Sequence, residues 1–230
     1  MWFSLKKSLA DQGVFHSFTD NHSHILPGVD DGVKTMDDAL TILSAYEKCG
    51  MTEVWLTPHI QEFIPNTTQH LQERYAELKS AYTGALTLHL AAEYMLDNVF
   101  IERFETKDLL LHSLSGQEQR LLIETSYYNP PIRFWETIQD VLSAGIRPIL
   151  AHPERYLYME KEDYTRLRDM GVLLQMNIPS VLGVYGSEPC KRAKRLLKGG
   201  FYSMYGTDVH SPRFIDMFQK EKTSKLQLKF

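Results

Sequence analysis

The chain has 230 residues, 43% hydrophobic and 23% charged, with 25 Lys+Arg against 29 Asp+Glu for a formal net charge of -4. That composition excludes a disordered chain and fits one ordinary globular unit long enough for an α/β barrel core. The slight acidity argues against a nucleic-acid partner, because neutralising phosphates needs clustered Lys and Arg.

Residues 1–17 read as an N-terminal extension with apolar points at Trp2, Phe3, Leu5 and Leu9, and residues 18–230 as a single domain. The opening residues lack the apolar run of a secretion signal, and no stretch approaches the roughly 18 consecutive apolar residues of a membrane span. No membrane insertion and a cytoplasmic location are therefore expected. Cys49 and Cys190 are too few for a disulfide framework and suit a reducing compartment. The oligomeric state is not written in the residues.

A first strand is predicted over 18–24. Thr35 then caps a helix with Asp38 at its third position, Met36, Ala39, Leu40, Leu43 and Tyr46 recur on one face, and Gly50 ends it. Strands follow over 53–59, 86–94, 120–125, 147–152, 172–177 and 201–208. Helices fall between them over 68–82, 134–144, 161–170 and 189–198, the last three stopped by Gly145, Gly171 and Gly199. About seven strand–helix units predict a parallel sheet wrapped by helices.

Chemistry-bearing residues gather at the carboxyl ends of these strands, where parallel α/β folds build their sites. The ends carry His22 and His24, His59, Glu93, Glu124, His152, and Asp208 with His210. His22 and His24 lie two apart, so on a strand they face the same way and can chelate one cation, and Asp208 and His210 share that spacing. The shell mixes imidazole and carboxylate without thiolate, which suits Mn²⁺, Fe²⁺ or Zn²⁺. It offers more ligands than one tetrahedral ion uses, so two or three ions are expected. His16, His70, His89 and His112 read as surface or loop residues.

The run Asp20-Asn21-His22-Ser23-His24-Ile25-Leu26-Pro27-Gly28-Val29-Asp30-Asp31-Gly32 resembles the polymerase-and-histidinol-phosphatase (PHP) superfamily. So do Thr57-Pro58-His59, Leu122-Ile123-Glu124, Ala151-His152-Pro153-Glu154-Arg155-Tyr156 and Thr207-Asp208-Val209-His210. Two of these motifs are similar to those of the bacterial tyrosine phosphatases of capsule and exopolysaccharide operons. The resemblance implies a distorted (β/α)7 TIM-like barrel, the PHP fold, with a trinuclear site, Mn²⁺ being the expected metal. His22 and His24 would hold one ion with Asp208, and Glu93 would bridge it to a second held by Glu124 and His152. Asp31, His59 and His210 would hold the third; the residues alone leave Asp30 and Asp31 open, and the family pattern favours Asp31. Arg155 and Arg213 become candidates for gripping phosphate, since a guanidinium fork matches its oxygens.

The implied activity is hydrolysis of protein phosphotyrosine by a metal-activated hydroxide, on a phosphorylated tyrosine kinase of polysaccharide export. His59 or His210 would help protonate the leaving phenolate. Alternatives are a small-molecule phosphatase of the histidinol-phosphate type and a non-catalytic or nucleic-acid-associated PHP module. Cysteine-based phosphatase chemistry is disfavoured: the arginine it needs six residues after the nucleophile is Trp55 after Cys49 and Leu196 after Cys190. The loop from Tyr127 to Arg133 follows the Glu124 strand end and either lines the mouth or is a turn of packed tyrosines.

Overall fold

The computed structural model describes residues 6–223. In chain order its elements are β1 (Lys7–Ser8), β2 (Thr19–Ser23), α1 (Met36–Lys48), β3 (Glu53–Leu56), β4 (His59–Ile60), α2 (Thr68–Ala81), β5 (Thr87–Leu90), β6 (Glu93–Met95) and α3 (Asn98–Thr106). They continue with β7 (Arg120–Glu124), α4 (Phe134–Ser143), β8 (Arg147–Ala151), a 3₁₀ turn at Pro153–Arg155, α5 (Lys161–Asp169), β9 (Leu173–Asn177), α6 (Ile178–Leu182), α7 (Ser187–Lys198), β10 (Met204–Gly206), α8 (Arg213–Lys220) and β11 (Lys222–Thr223).

Two parallel sheets carry the fold: a six-stranded one ordered β10-β9-β8-β7-β6-β4 and a three-stranded one ordered β2-β3-β5. Two of the seven predicted strands are broken. The stretch 53–59 divides at Thr57-Pro58, where proline has no N–H for a ladder, and 86–94 divides at Ala91-Ala92. Hydrogen bonds carry the pairing across both breaks, from Ala91 N to Leu56 O (2.9 Å) and from Glu93 N to Pro58 O (3.1 Å). At the far edge, Asp208 N donates to His22 O (2.8 Å) and His24 N to Val209 O (3.0 Å), which joins β2 to the segment leaving β10.

Helix α1 forms as its pattern predicts. Thr35 accepts from the Asp38 amide, Ala39, Leu43 and Tyr46 are buried together with Ile42, and Gly50 follows at φ +86°. Helices α3, α6 and α8, of nine, five and eight residues, have no counterpart among the predicted ones.

Leu9, Val14 and Phe15 belong to the main hydrophobic cluster. Phe15 packs on Phe218 of α8 with ring centroids 5.0 Å apart, Ala10 N donates to Phe218 O, and β1 pairs antiparallel with β11. Trp2, Phe3 and Leu5 lie outside the described residues. His112 is not the surface residue its sequence context suggests. It is buried, donates from Nε2 to Asn21 O (3.0 Å) and stacks on Trp55 at 3.9 Å, with His89 stacked on the same ring at 4.6 Å. Burial lowers its pKa to about 4.

Candidate metal centre

Every histidine and acid singled out at the strand ends converges on one place. Glu93, which opens β6, is fully buried at the middle of it. Its Oε2 lies 3.2 Å from His22 Nε2, 3.4 Å from His24 Nε2 and 3.0 Å from His59 Nδ1, and its Oε1 lies 3.0 Å from His152 Nε2. Asp208 Oδ1 stands 3.6 and 3.4 Å from the Nε2 atoms of His22 and His24. Glu124 Oε1 is 3.0 Å from His59 Nδ1, and its Oε2 is 3.8 Å from His152 Nε2. Asp31 Oδ1 faces His59 Nε2 at 3.5 Å and His210 Nε2 at 3.6 Å. The arrangement departs from the implied three-way division in one respect: His59 faces the Glu93/Glu124 pair with one nitrogen and Asp31 with the other.

The two aspartates of the first loop divide their work. Asp30 is turned inward and accepts from His24 Nδ1 (2.8 Å), His59 N (3.1 Å) and Gly32 N (2.9 Å). Asp31 presents its carboxylate to the cluster instead. Gly32 makes this fold-back feasible, because a Cβ there would overlap the His24 backbone oxygen and side chain. Gly206 has a similar reason at the end of β10, where a Cβ would come within 2.5 Å of His22 Cβ. His152 and Asp208 sit at φ +33° and +51°, left-handed conformations that cost non-glycine residues energy and recur at functional sites.

Hydrogen-bond partners fix which nitrogens point inward. Gln175 donates from Nε2 to Met176 O (2.6 Å), so its Oε1 is the oxygen that accepts from His152 N (3.4 Å) and from His22 Nδ1 (2.9 Å). His24 Nδ1 donates to Asp30, and His210 Nδ1 donates to Asp208 O (2.9 Å). Three imidazoles thus spend their Nδ1 protons on outer partners and turn Nε2 lone pairs toward the acids, the arrangement typical of metal-bound histidine. The Nε2 atoms of His22 and His24 face each other at 3.0 Å, which requires a shared cation, a proton or a metal ion. His59 Nδ1 and Glu93 Oε2 are buried without a hydrogen bond.

The electrostatics agree. Burial pushes Asp208 and Glu93 up, but the surrounding histidines override it and hold both carboxyls well below their usual range. Burial likewise pushes His22 down, yet Glu93 and Asp208 override it and hold it up at about 9. The acids therefore stay anionic and demand positive charge, which protons supply when no metal does. Four overlapping sets of ligand atoms each lie within 4.8 Å: His22/His24/Asp208, His22/Glu93/His152, His59/Glu93/Glu124 and His24/Asp31/His59/His210. This nitrogen and oxygen donor set fits more than one divalent ion.

The cluster floors a cleft of about 210 Å³ whose walls include Tyr127, Arg155, Tyr185 and Phe214. Arg155 is clamped between the Tyr127 and Tyr185 rings, at 4.3 and 4.1 Å, and its Nη1 donates to Asp208 Oδ2 (3.1 Å). Tyr127 thus lines the mouth, and the next residue, Tyr128, is exposed. Arg213 is exposed at the start of α8, and among the described residues it makes no hydrogen bond or ion pair with the cluster; its neighbour Phe214 lines the cleft.

Sequence reasoning missed three supporting residues. Gln175 orients His22, while Asn177 donates to Asp208 Oδ2 (2.6 Å) and Tyr185 also reaches that oxygen (3.3 Å). Gln175 and Asn177 alternate along β9, so the strand's period was the available signal; its end holds amides rather than ionisable groups. Tyr185 carries no local signal, because its role arises from a contact 23 residues away in sequence.

Comparison with known proteins follows the same line. The chain is 27% identical over 207 residues to the tyrosine-protein phosphatase CpsB of Streptococcus pneumoniae, covering 84% of this chain and 82% of that protein. It is 22% identical over 236 residues to the tyrosine-protein phosphatase YwqE of Bacillus subtilis, covering 92% and 84%. A solved chain from work on YwqE and CpsB, described as unique metal-dependent tyrosine phosphatases, superimposes with a TM-score of 0.78 at 22% identity over 89% of this chain and 84% of that one. The family model for capsular polysaccharide synthesis proteins CpsB/CapC matches residues 18–217. This chain belongs to the CpsB/CapC family of capsular polysaccharide synthesis.

Proposed function

We propose that this chain is a metal-dependent phosphatase of protein phosphotyrosine whose substrate is a phosphorylated tyrosine kinase of capsule or exopolysaccharide synthesis. The observation that carries the reading is the convergence on Glu93: four imidazoles lie against one buried carboxylate, with the Nδ1 atoms of His22 and His24 already committed to outer acceptors. His22, His24 and Asp208, then Glu93, Glu124 and His152, then Asp31, His59 and His210, would hold two or three divalent ions. Mn²⁺ suits their donors, with Fe²⁺ and Zn²⁺ of the same class. Bound there, such ions supply a nucleophilic water at neutral pH and neutralise phosphoryl charge.

The chain's own residues do the rest. Arg155, held flat between two tyrosines, presents to the cleft the guanidinium nitrogens not spent on Asp208 and grips phosphoryl oxygens. Phe214 and Tyr127 line the cleft and give the substrate phenyl group apolar surface to pack on. A proton for the leaving phenolate comes from the His59 and His210 side of the cleft. Arg213, exposed at the helix start and outside the cluster, is the weaker candidate for the phosphate.

We read the two sheets as one distorted barrel of seven staves, two of them broken, in a single domain. Support comes from the ladder across the breaks and the hydrogen bonds joining β2 to the segment after β10. Among the described residues no helix is long and apolar enough to cross a membrane. The two free cysteines suit a cytoplasmic site of action, where the kinase's phosphorylated segment would be met.

Competition between a phosphotyrosine peptide and histidinol phosphate tests the substrate class. The peptide is expected to be turned over with the higher kcat/KM; preference for histidinol phosphate would replace the proposed substrate and leave the metal centre standing.

A further inference from the structure

We infer that the groove running out of the cleft past Tyr127, Arg155 and Tyr185 binds an apolar or aromatic residue beside the phosphotyrosine of an extended substrate peptide. The inference rests on the phosphatase reading above and deepens it by naming what flanks the phosphate.

The groove has a volume of about 410 Å³ and shares those three walls with the metal-floored cleft, so a chain anchored by its phosphate has a continuous path into it. Beyond the shared walls its lining includes Tyr128, Leu157 and Pro189. Tyr128 is 70% exposed and Leu157 40%, so both offer apolar surface that a ligand would take out of water. Besides Arg155, whose remaining nitrogens serve the phosphate, its charged wall is Glu188, which Arg192 pairs at 3.2 Å, so the groove offers an acidic neighbour on the peptide no free cation.

The walls are built rather than loose. Leu157 N donates to Tyr127 O (2.8 Å), tying the loop after β8 to the loop after β7. Arg192 of α7 donates to the carbonyls of Tyr156 (3.1 Å), Leu157 (3.2 Å) and Met159 (2.6 Å), which fixes the Leu157 loop against the helix that carries Glu188 and Pro189. Such pre-organisation lowers the ordering cost of binding.

The wider surface points to a macromolecular substrate. Among the described residues seven large hydrophobic side chains are exposed, and five of them (Phe63, Tyr128, Ile132, Leu157 and Val184) stand on segments that leave the carboxyl ends of β4, β7, β8 and β9, the ends that carry the site, Tyr128 and Leu157 lining the groove itself. Apolar residues concentrated on one edge mark an interaction surface. A small phosphate ester would be held by the inner cleft alone and would leave this edge and the groove unused.

The test compares p-nitrophenyl phosphate with three phosphotyrosine peptides of equal length, flanked on both sides by Leu/Phe, by Ala or by Glu, on the metal-loaded full chain. The Leu/Phe peptide is expected to exceed the Glu peptide in kcat/KM by about tenfold or more, mainly through KM, as one buried apolar side chain allows. Leu157→Glu and Tyr128→Ala are each expected to shrink that preference to about threefold or less while leaving p-nitrophenyl phosphate turnover unchanged. Should Leu157→Glu lose turnover of the small ester as well, Tyr128→Ala, at a 70% exposed loop position, decides the matter. Three peptides turned over equally by the parent protein, or a preference that survives both substitutions, would overturn the groove. Failure of the parent to hydrolyse p-nitrophenyl phosphate overturns the phosphatase reading itself, a distinct result.

Discussion

Arg155 and Arg213 show how one residue type in two similar sequence settings reaches different positions. Both follow a strand-end histidine by three residues, His152 and His210 respectively. Arg155 lies at the end of a 3₁₀ turn that swings it back over the cluster, between two rings and against Asp208. Arg213 begins α8, whose next residue takes the place on the cleft wall. Arg155→Ala is therefore expected to lower kcat/KM toward a phosphotyrosine peptide by about 10²–10³, the range for losing a pre-organised donor to developing charge. Arg213→Ala is expected to lower it by less than about threefold, a surface-charge effect. Steady-state kinetics on the two variants checks both, and a larger loss at Arg213 would give the second grip to that residue.

At this scale the sequence was a good guide to ligand-type residues, because chelation needs specific atoms and leaves them at strand ends two residues apart. It was a poor guide to their supports. Asp30 and Asp31 are adjacent and chemically identical, and only the fold-back at Gly32 separates the one that orients His24 from the one that faces His59 and His210. Gln175 and Asn177 are amides whose importance lies in what they touch across the sheet.

Elements differ in how far their own residues determine them. Helix α1 is legible because capping, charge at its N-terminus and the apolar face all agree locally, with Thr35, Asp37 and Asp38 ahead of Ala39, Leu43 and Tyr46. The broken strands are less so: Pro58 announces one interruption, whereas the division at Ala91-Ala92 has no local cause in the residues. His112 is the clearest miss, since a histidine in a loop between α3 and β7 gives no hint that it will stack on Trp55 and bond to Asn21 O.

That placement has a consequence for stability against pH. Burial lowers the folded pKa of His112 from the ordinary 6.5 to about 4, so the folded state resists a proton that the unfolded chain accepts. Its contribution is fully present above about 6.5 and is lost as pH falls from there toward about 4, a total loss of about 3 kcal/mol. Denaturant unfolding of the parent and of His112→Gln between these limits should converge as the pH falls. Parallel curves, with a constant difference between the two proteins, would remove His112 from this role.

At the scale of the whole molecule, the alternation of strand and helix predicted the parallel α/β architecture and placed the chemistry on one edge of it. The terminal segments were harder to place. Of the four apolar points in residues 1–17, Leu9 lies within the described residues, and only the three-dimensional arrangement places it and Phe15 in the core that α8 shares and pairs β1 with β11. The pairing joins residues over 200 positions apart, beyond any local signal. Leu9 is fully buried, so Leu9→Ala is expected to lower unfolding stability by about 2–5 kcal/mol, read from the denaturation midpoint. A change below about 0.5 kcal/mol would mean that this segment contributes no core.

One edge of the sheets thus brings together anionic carboxylates, histidines with fixed inner lone pairs and a clamped arginine, and the family match places the same chain among capsule-synthesis proteins. The central claim is that this cluster works only as a metal centre. The most direct test is hydrolysis of a phosphotyrosine peptide by protein stripped with chelator, before and after Mn²⁺ is added back, with bound metal counted alongside. Activity should vanish on stripping and return with two or three ions per chain. Full activity in stripped protein, or none after the ions are restored, would contradict the account.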